Sequence, residues 1–180
     1  GGVRQAIFAS ADLPVRLPTK LTIPVGRLVI ANSFPAFNGD DVRAMVQSWI
    51  ETFREPDGPT KRFEKTWPIN ASDAFRRSAE GMRTYQLLHG LAAVANGESL
   101  AHVAEGIVGF DAEARLCHRE HDTLFVAGAL DTMSPWPFST LAEAAPRGRY
   151  IELPHTAHWS NVDSAQAFNE AVLAFQSDKG

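Results

Sequence analysis

Hydrophobic positions fall into runs at both ends of the chain and into a helical period between them. "GRLVIANSF" sets Leu28, Val29 and Ile30 side by side. A short continuous apolar run suits a strand buried on both faces, as in a parallel sheet. "DTLFVAG" repeats the pattern and "GRYIELP" reads as another strand, so parallel strands are predicted near 27–32, 123–128 and 148–153. Ahead of the first strand, "GGVRQAIFASAD" carries Val3, Ala6, Ile7 and Phe8 and reads as one short helix. Pro14, Pro18, Pro24 and Pro35 break the stretch that follows.

From 39 to 118 the pattern is helical only. "GDDVRAMVQSWIETF" places Val42, Met45, Val46, Trp49, Ile50 and Phe53 on one face, with Asp40 or Asp41 as its cap. "EPDGP" ends it. Ser72 starts a second helix over about 72–80, and a third runs through Met82, Tyr85, Leu88, Leu91, Ala92 and Ala95. "NGES" closes the third with a glycine past its end, and Ser99 caps a fourth that turns Leu100, Val103 and Ile107 inward. After residue 119 strand and helix alternate. "SPWPFSTLAEAA" is loop then helix, and "DSAQAFNEAVLAFQ" is a closing helix with Ala167, Phe168, Ala171, Val172 and Phe175 on one face. Alternation at these spacings predicts βαβ units. The organisation is therefore α/β: a core helix and strand over 1–38, a helical cap over 39–118, and a C-terminal core over 119–180. An all-helical insertion of that size between strands of one sheet is a lid in the usual case.

Composition adds mainly exclusions. With 180 residues, 44% hydrophobic and 21% charged, the chain can bury a substantial core. The net charge is −4 and no basic stripe invites nucleic acid or an anionic membrane. No apolar run approaches the ~20 residues of a membrane helix, and no charged-then-apolar leader is present. The single cysteine, Cys117, reads as a small buried apolar residue, and a cytoplasmic, reducing location is the default. No Cys/His cluster has zinc spacing, so no metal is expected.

The chemistry sits at strand ends. Asp131 lies just past the strand that ends at Gly128, and His158 lies just past the one that ends near Pro154. In open α/β sheets ligands bind outside the carboxyl ends of the strands. Two adjacent parallel strands would bring the side chains together, with the carboxylate fixing the imidazole tautomer and stabilising the imidazolium. His155 is the rival base. His89, His102, His118 and His121 read as structural or solvent-exposed.

These residues resemble the C-terminal end of the α/β-hydrolase family, whose last strands carry a G-x-x-D-x-x-x-P turn and then a histidine turn. Here the matching residues are Gly128, Asp131 and Pro135, then His158, Trp159 and a terminal helix that reaches Phe175. The family often has Gly before the histidine, where this chain has Ala157, and Pro before the acid strand, where it has Asp122. The helical segment lies where the family inserts its lid. The resemblance implies a nucleophile–His–Asp triad without metal or organic cofactor, acting on a small hydrophobic ester or lactone. Trp49, Phe53, Met133, Trp136 and Trp159 are candidates to line its pocket, although Trp49 and Phe53 also suit ordinary cap packing.

The family's nucleophile sits in a G-x-S-x-G elbow, and no serine of this chain has that setting; Ser33 follows a strand, but Pro35 argues against an elbow. The opening Gly1-Gly2, the expected helix, Pro14 and "GRLVIANSF" look like the sequence just after an elbow. The nucleophile is therefore expected upstream of Gly1, with a missing N-terminal segment, a complementary chain or a homo-oligomer covering the apolar edge of the first strand. This chain alone would then be inactive. The alternatives are a non-catalytic binding or interaction protein, an inactive fragment, or a carbon–carbon bond hydrolase, dehalogenase or cofactor-free haloperoxidase of the same family.

Overall fold

Strands β1 (Gln5–Ala9), β2 (Arg27–Ala31), β3 (Asp122–Gly128) and β4 (Gly148–Leu153) lie side by side in chain order, all parallel. They are seen in a computed structural model that describes residues 5–9, 27–33, 36–37, 39–111, 121–133 and 137–178. The chain forms two compact units, Gly1–Pro35 with Ala112–Gly180, and Ala36–Asp111.

In the first unit β2 and β3 are covered on both faces, which is why they read as unbroken apolar runs. Successive residues point to opposite faces. Leu28, Ile30 and Phe125 pack with Phe138, Leu141 and Ala142 of helix α6 (Phe138–Ala144). Val29, Ala31, Leu124 and Val126 pack with Phe168, Val172 and Phe175 of helix α8 (Ala165–Ser177). Between β4 and α8 lies the single turn α7 (Ser160–Asp163). Arg27, at the start of β2, donates from Nη1 to the carbonyls of Phe175 (2.5 Å) and Gln176 (2.6 Å), and its guanidinium lies 5.4 Å from the Phe175 ring centre. A cation there satisfies the unpaired last carbonyls of α8 and opposes the negative end of its dipole.

The helix expected over the first twelve residues is not what the structure shows: Gln5–Ala9 is a strand paired in register with Arg27–Ala31. A run of four apolar or small residues is too short to separate a helical from an extended period. Pairing also satisfies the N–H and C=O row that β2 would otherwise present as an edge.

The second unit contains α1 (Asp40–Arg54), α2 (Gly58–Asn70), α3 (Asp73–Arg77), α4 (Ala79–Val94) and α5 (Gly97–Glu105). Its entry and exit are pinned together: Ala36 bridges Asp111, and Phe37 N donates to Phe110 O at 2.6 Å. The apolar face predicted for α1 is buried at Val46, Trp49 and Ile50. Its N-cap is Gly39, however, and Asp40 and Asp41 stand in the first turn, where they complement the helix dipole.

Helix α2 was not predicted, and its composition explains why. Its buried positions are Gly58, Arg62, Thr66, Trp67 and Asn70, a helical period made mostly of polar residues. The Ser72 start is as expected, but the helix ends at Arg77, because Ser78 caps α4 by accepting from Gly81 N at 2.9 Å. The inward face of α4 is also rotated from the predicted one. Tyr85, Leu88 and Ala92 are half-buried, while Met82, Leu91 and Ala95 are exposed. Asn96, not Ser99, caps α5, accepting from Ser99 N at 2.8 Å. Gly97 is the first residue of α5, where a Cβ would collide with the Phe53 carbonyl, and it does not terminate α4. No helix among the described residues is long and apolar enough to cross a membrane.

Candidate active site

Two turns at the carboxyl edge of the sheet interlock. β3 and β4 pair through Gly128↔Leu153, and the chain then bends at both ends. Ala129 N donates to Leu153 O (2.9 Å) and Leu130 N to Thr156 O (2.8 Å), which ties the acid turn to the histidine turn. Asp131 N closes back on Gly128 O at 3.0 Å. Gly128 is what lets the turns meet: a Cβ there would fall inside contact distance of the Thr156 and Ala157 carbonyls.

The histidine turn is held by its own bonds. His155 takes a left-handed conformation (φ 58°) and points to solvent. Thr156 Oγ1 donates to Pro154 O at 2.9 Å and pairs with Ser164 Oγ at 2.7 Å. Asp163 Oδ2 accepts from Ala157 N at 2.6 Å. The next residue, His158, is thereby turned inward, and its side chain is 2% exposed.

His158 Nδ1 lies 3.1 Å from Asp131 Oδ1 and 3.0 Å from Oδ2. The Asp131 side chain is 5% exposed. Between the two histidines that compete in the sequence, the geometry pairs His158 with the acid and leaves His155 exposed. Asp131 also accepts from Met133 N at Oδ1 (2.9 Å) and from Asn32 Nδ2 at Oδ2 (2.8 Å). Burial by itself would push this carboxyl up. The His158 hydrogen bond and charge, with the Asn32 amide and the Met133 N–H, outweigh burial and hold it below the usual carboxylate range. An acid kept ionised in a water-poor site is suited to fixing the neutral imidazole as its Nδ1–H tautomer and to stabilising the imidazolium.

Asn32 is the member of this group that the sequence reading missed. It follows β2 directly, at φ 41°, and is 2% exposed. Its backbone N donates to Val126 O at 2.9 Å. Its amide oxygen is buried without a partner among the described residues, a loss of roughly 1–3 kcal/mol. The signal for it was an Asn at a strand's carboxyl end, a position that sequence alone does not distinguish from a turn.

The other candidates scatter. Met133 contributes its backbone N–H, and Trp159 is half-buried beside His158, with its carbonyl accepting from Val162 N and Asp163 N. Trp49 and Phe53 belong to the helical unit, where the buried Arg62 guanidinium lies 4.2 Å and 5.4 Å from their ring centres. That packing serves the helical core. Trp136, Pro135, Cys117, His118 and the Gly1-Gly2 pair lie outside the described residues. His89 pairs with Glu64 (3.0 Å), His102 with Glu98 (3.2 Å), and His121 is half-buried. Among the described residues no serine stands at a turn from a strand directly into a helix: Ser33 follows β2, but the next helix begins at Asp40.

No protein-family model matches the chain. A Pseudomonas savastanoi protein named as a carbamate hydrolase, RutD, is 33% identical over 88 residues, which are 48% of this chain and 34% of that protein. An α/β hydrolase from a Medee basin deep-sea metagenome superposes with a TM-score of 0.75 at 18% identity, over 87% of this chain and 57% of that one. The enol-lactonase of Burkholderia xenovorans matches with a TM-score of 0.70 at 19% identity, over 86% and 57%. A hydrolase of Pseudomonas aeruginosa matches with a TM-score of 0.72 at 26% identity, over 86% and 56%. The chain thus spans just over half the length of these structures and a third of the curated relative.

Proposed function

We propose, from the premise that this chain carries the C-terminal part of the α/β-hydrolase fold, that it is the acid–base half of a hydrolase acting on an ester or lactone of a small hydrophobic substrate. The observation that carries this reading is the buried Asp131–His158 pair at the carboxyl edge of a parallel sheet, 3.0 Å between carboxylate and Nδ1. A buried imidazole hydrogen-bonded to a carboxylate kept ionised is what the base of an acyl-transfer site requires.

On this reading the nucleophile, a serine hydroxyl, is supplied by sequence N-terminal to this chain. The chain's coverage of just over half of its solved structural relatives supports that placement. His158 Nε2 takes the hydroxyl proton as the oxygen attacks the substrate carbonyl, whose π pair moves onto oxygen. Collapse of the tetrahedral adduct breaks the bond to the leaving oxygen, which receives the proton from Nε2. Water then repeats the sequence on the acyl-enzyme and releases the acid. Asp131 stays ionised throughout. Met133 and Trp159 flank the pair and are the proposed apolar lining. No metal or cofactor enters these steps.

The test uses the full-length protein that includes the nucleophile. Hydrolysis of p-nitrophenyl acetate should fall by on the order of 10³-fold or more in His158→Ala. Wild-type turnover in that variant refutes the reading. Turnover of a carbamate or a haloalkane in place of esters would assign a sister chemistry to the same pair. A folded full-length protein that turns over none of these would mark a non-catalytic binding role.

A further inference from the structure

We infer that Asn32 is a positioning residue of the acid–base pair, an amide clamp that sets how Asp131 presents its carboxylate to His158. The inference rests on the reading of Asp131 and His158 as that pair. Three strand ends converge on one carboxylate: Asn32 after β2, Asp131 after β3 and His158 after β4. Asp131 Oδ2 is shared by Asn32 Nδ2 at 2.8 Å and His158 Nδ1 at 3.0 Å, while Oδ1 accepts from Met133 N at 2.9 Å. Without the amide, the carboxylate could rotate about its Cβ–Cγ bond away from the imidazole.

The choice of residue supports this role. A φ of 41° favours Gly, Asn, Asp and His over other side chains. Glycine has no donor. Aspartate would set a second carboxylate against the first. Asparagine combines that backbone with a compact, neutral N–H donor. It stands here although its amide oxygen is buried without a partner among the described residues, a defect that glycine would not carry. The amide orientation follows from the same contact, since a flipped group would face oxygen to oxygen. Asn32 N is itself bonded to Val126 O at 2.9 Å, so the clamp is anchored to the strand that delivers Asp131.

The experiment compares Asn32→Gly and Asn32→Asp in the full-length protein. Glycine keeps the backbone conformation and removes the donor; aspartate keeps the shape and reverses the interaction. Removing a hydrogen bond to a charged group should lower kcat for p-nitrophenyl acetate by about tenfold or more with KM unchanged. The amide draws charge from the carboxylate, so its loss strengthens the pull on the imidazolium. The His158 titration midpoint, read by NMR of labelled histidine, and the acid limb of kcat/KM should both move to higher pH, further in Asn32→Asp than in Asn32→Gly. Asp163, the other carboxylate bonded in the histidine turn, is untouched by either change. A purely structural role would lower the unfolding midpoint and leave the titration in place. Folded variants with wild-type His158 titration and wild-type kcat overturn the inference. If Asn32→Gly does not fold, Asn32→Asp decides by the same two readouts. Failure of the hydrolase reading shows separately, as full turnover in His158→Ala, while the NMR titration still reports whether Asn32 acts on the pair.

Discussion

At the scale of single residues, the site depends on groups whose chemistry is unremarkable and whose placement is not. Gly128 has no room for a methyl group, because the carbonyls of Thr156 and Ala157 pass over its Cα. Gly128→Ala should therefore destabilise the protein by about 1–3 kcal/mol and separate the two turns. Thermal unfolding would show the first effect and loss of the His158 Nδ1–H resonance the second. Asp131 carries a pH signature. Its carboxyl is held below the usual range in the folded state. The stability it contributes is thus fully present above its unfolded value, about pH 4, and is lost as pH falls through the lower folded value. Urea unfolding between pH 6 and pH 2 should show the wild type losing stability over that window, with a flatter profile in Asp131→Asn. The juxtaposition of Asp131 and His158 was legible because spacing and strand ends point to it. Asn32 was not, since its partner is remote in sequence and its left-handed φ leaves no mark in the residue pattern.

At the scale of elements, apolar runs located β2, β3 and β4, and amphipathic period located α1 and α8. α2 escaped because its buried face is Arg62, Thr66 and Asn70, so its stability comes from burial that hydropathy does not score. Capping was predicted at Ser72 and misplaced elsewhere, since which of several adjacent polar residues becomes the cap depends on where packing ends the helix. Ser78→Ala removes the acceptor for Gly81 N and should cost roughly 1 kcal/mol, measurable by chemical denaturation. Arg27→Met keeps the apolar stem of the side chain and removes the donors to Phe175 and Gln176. The expected loss is on the order of 2 kcal/mol, with faster amide exchange in the last turn of α8.

At the scale of the whole molecule, the chain divides into two compact units, and the helical one closes on itself where Ala36 bridges Asp111. A chain of residues 36–111 should fold by itself to a helical unit with a cooperative thermal transition, followed by circular dichroism. A spectrum without helical signal would show that this unit depends on the sheet. The sequence by itself determined the class, the strands, and the placement of Asp131, His155 and His158 just past strand ends, because burial and strand-end placement are local in the chain. Tertiary structure alone decided that His158 and not His155 meets Asp131, that Gly128 must be glycine, and that Gln5–Ala9 pairs as a strand. It also brought Asn32 onto the same carboxylate. Each of these turns on contacts between segments far apart in the chain, about which a one-dimensional pattern of polar and apolar positions carries no information.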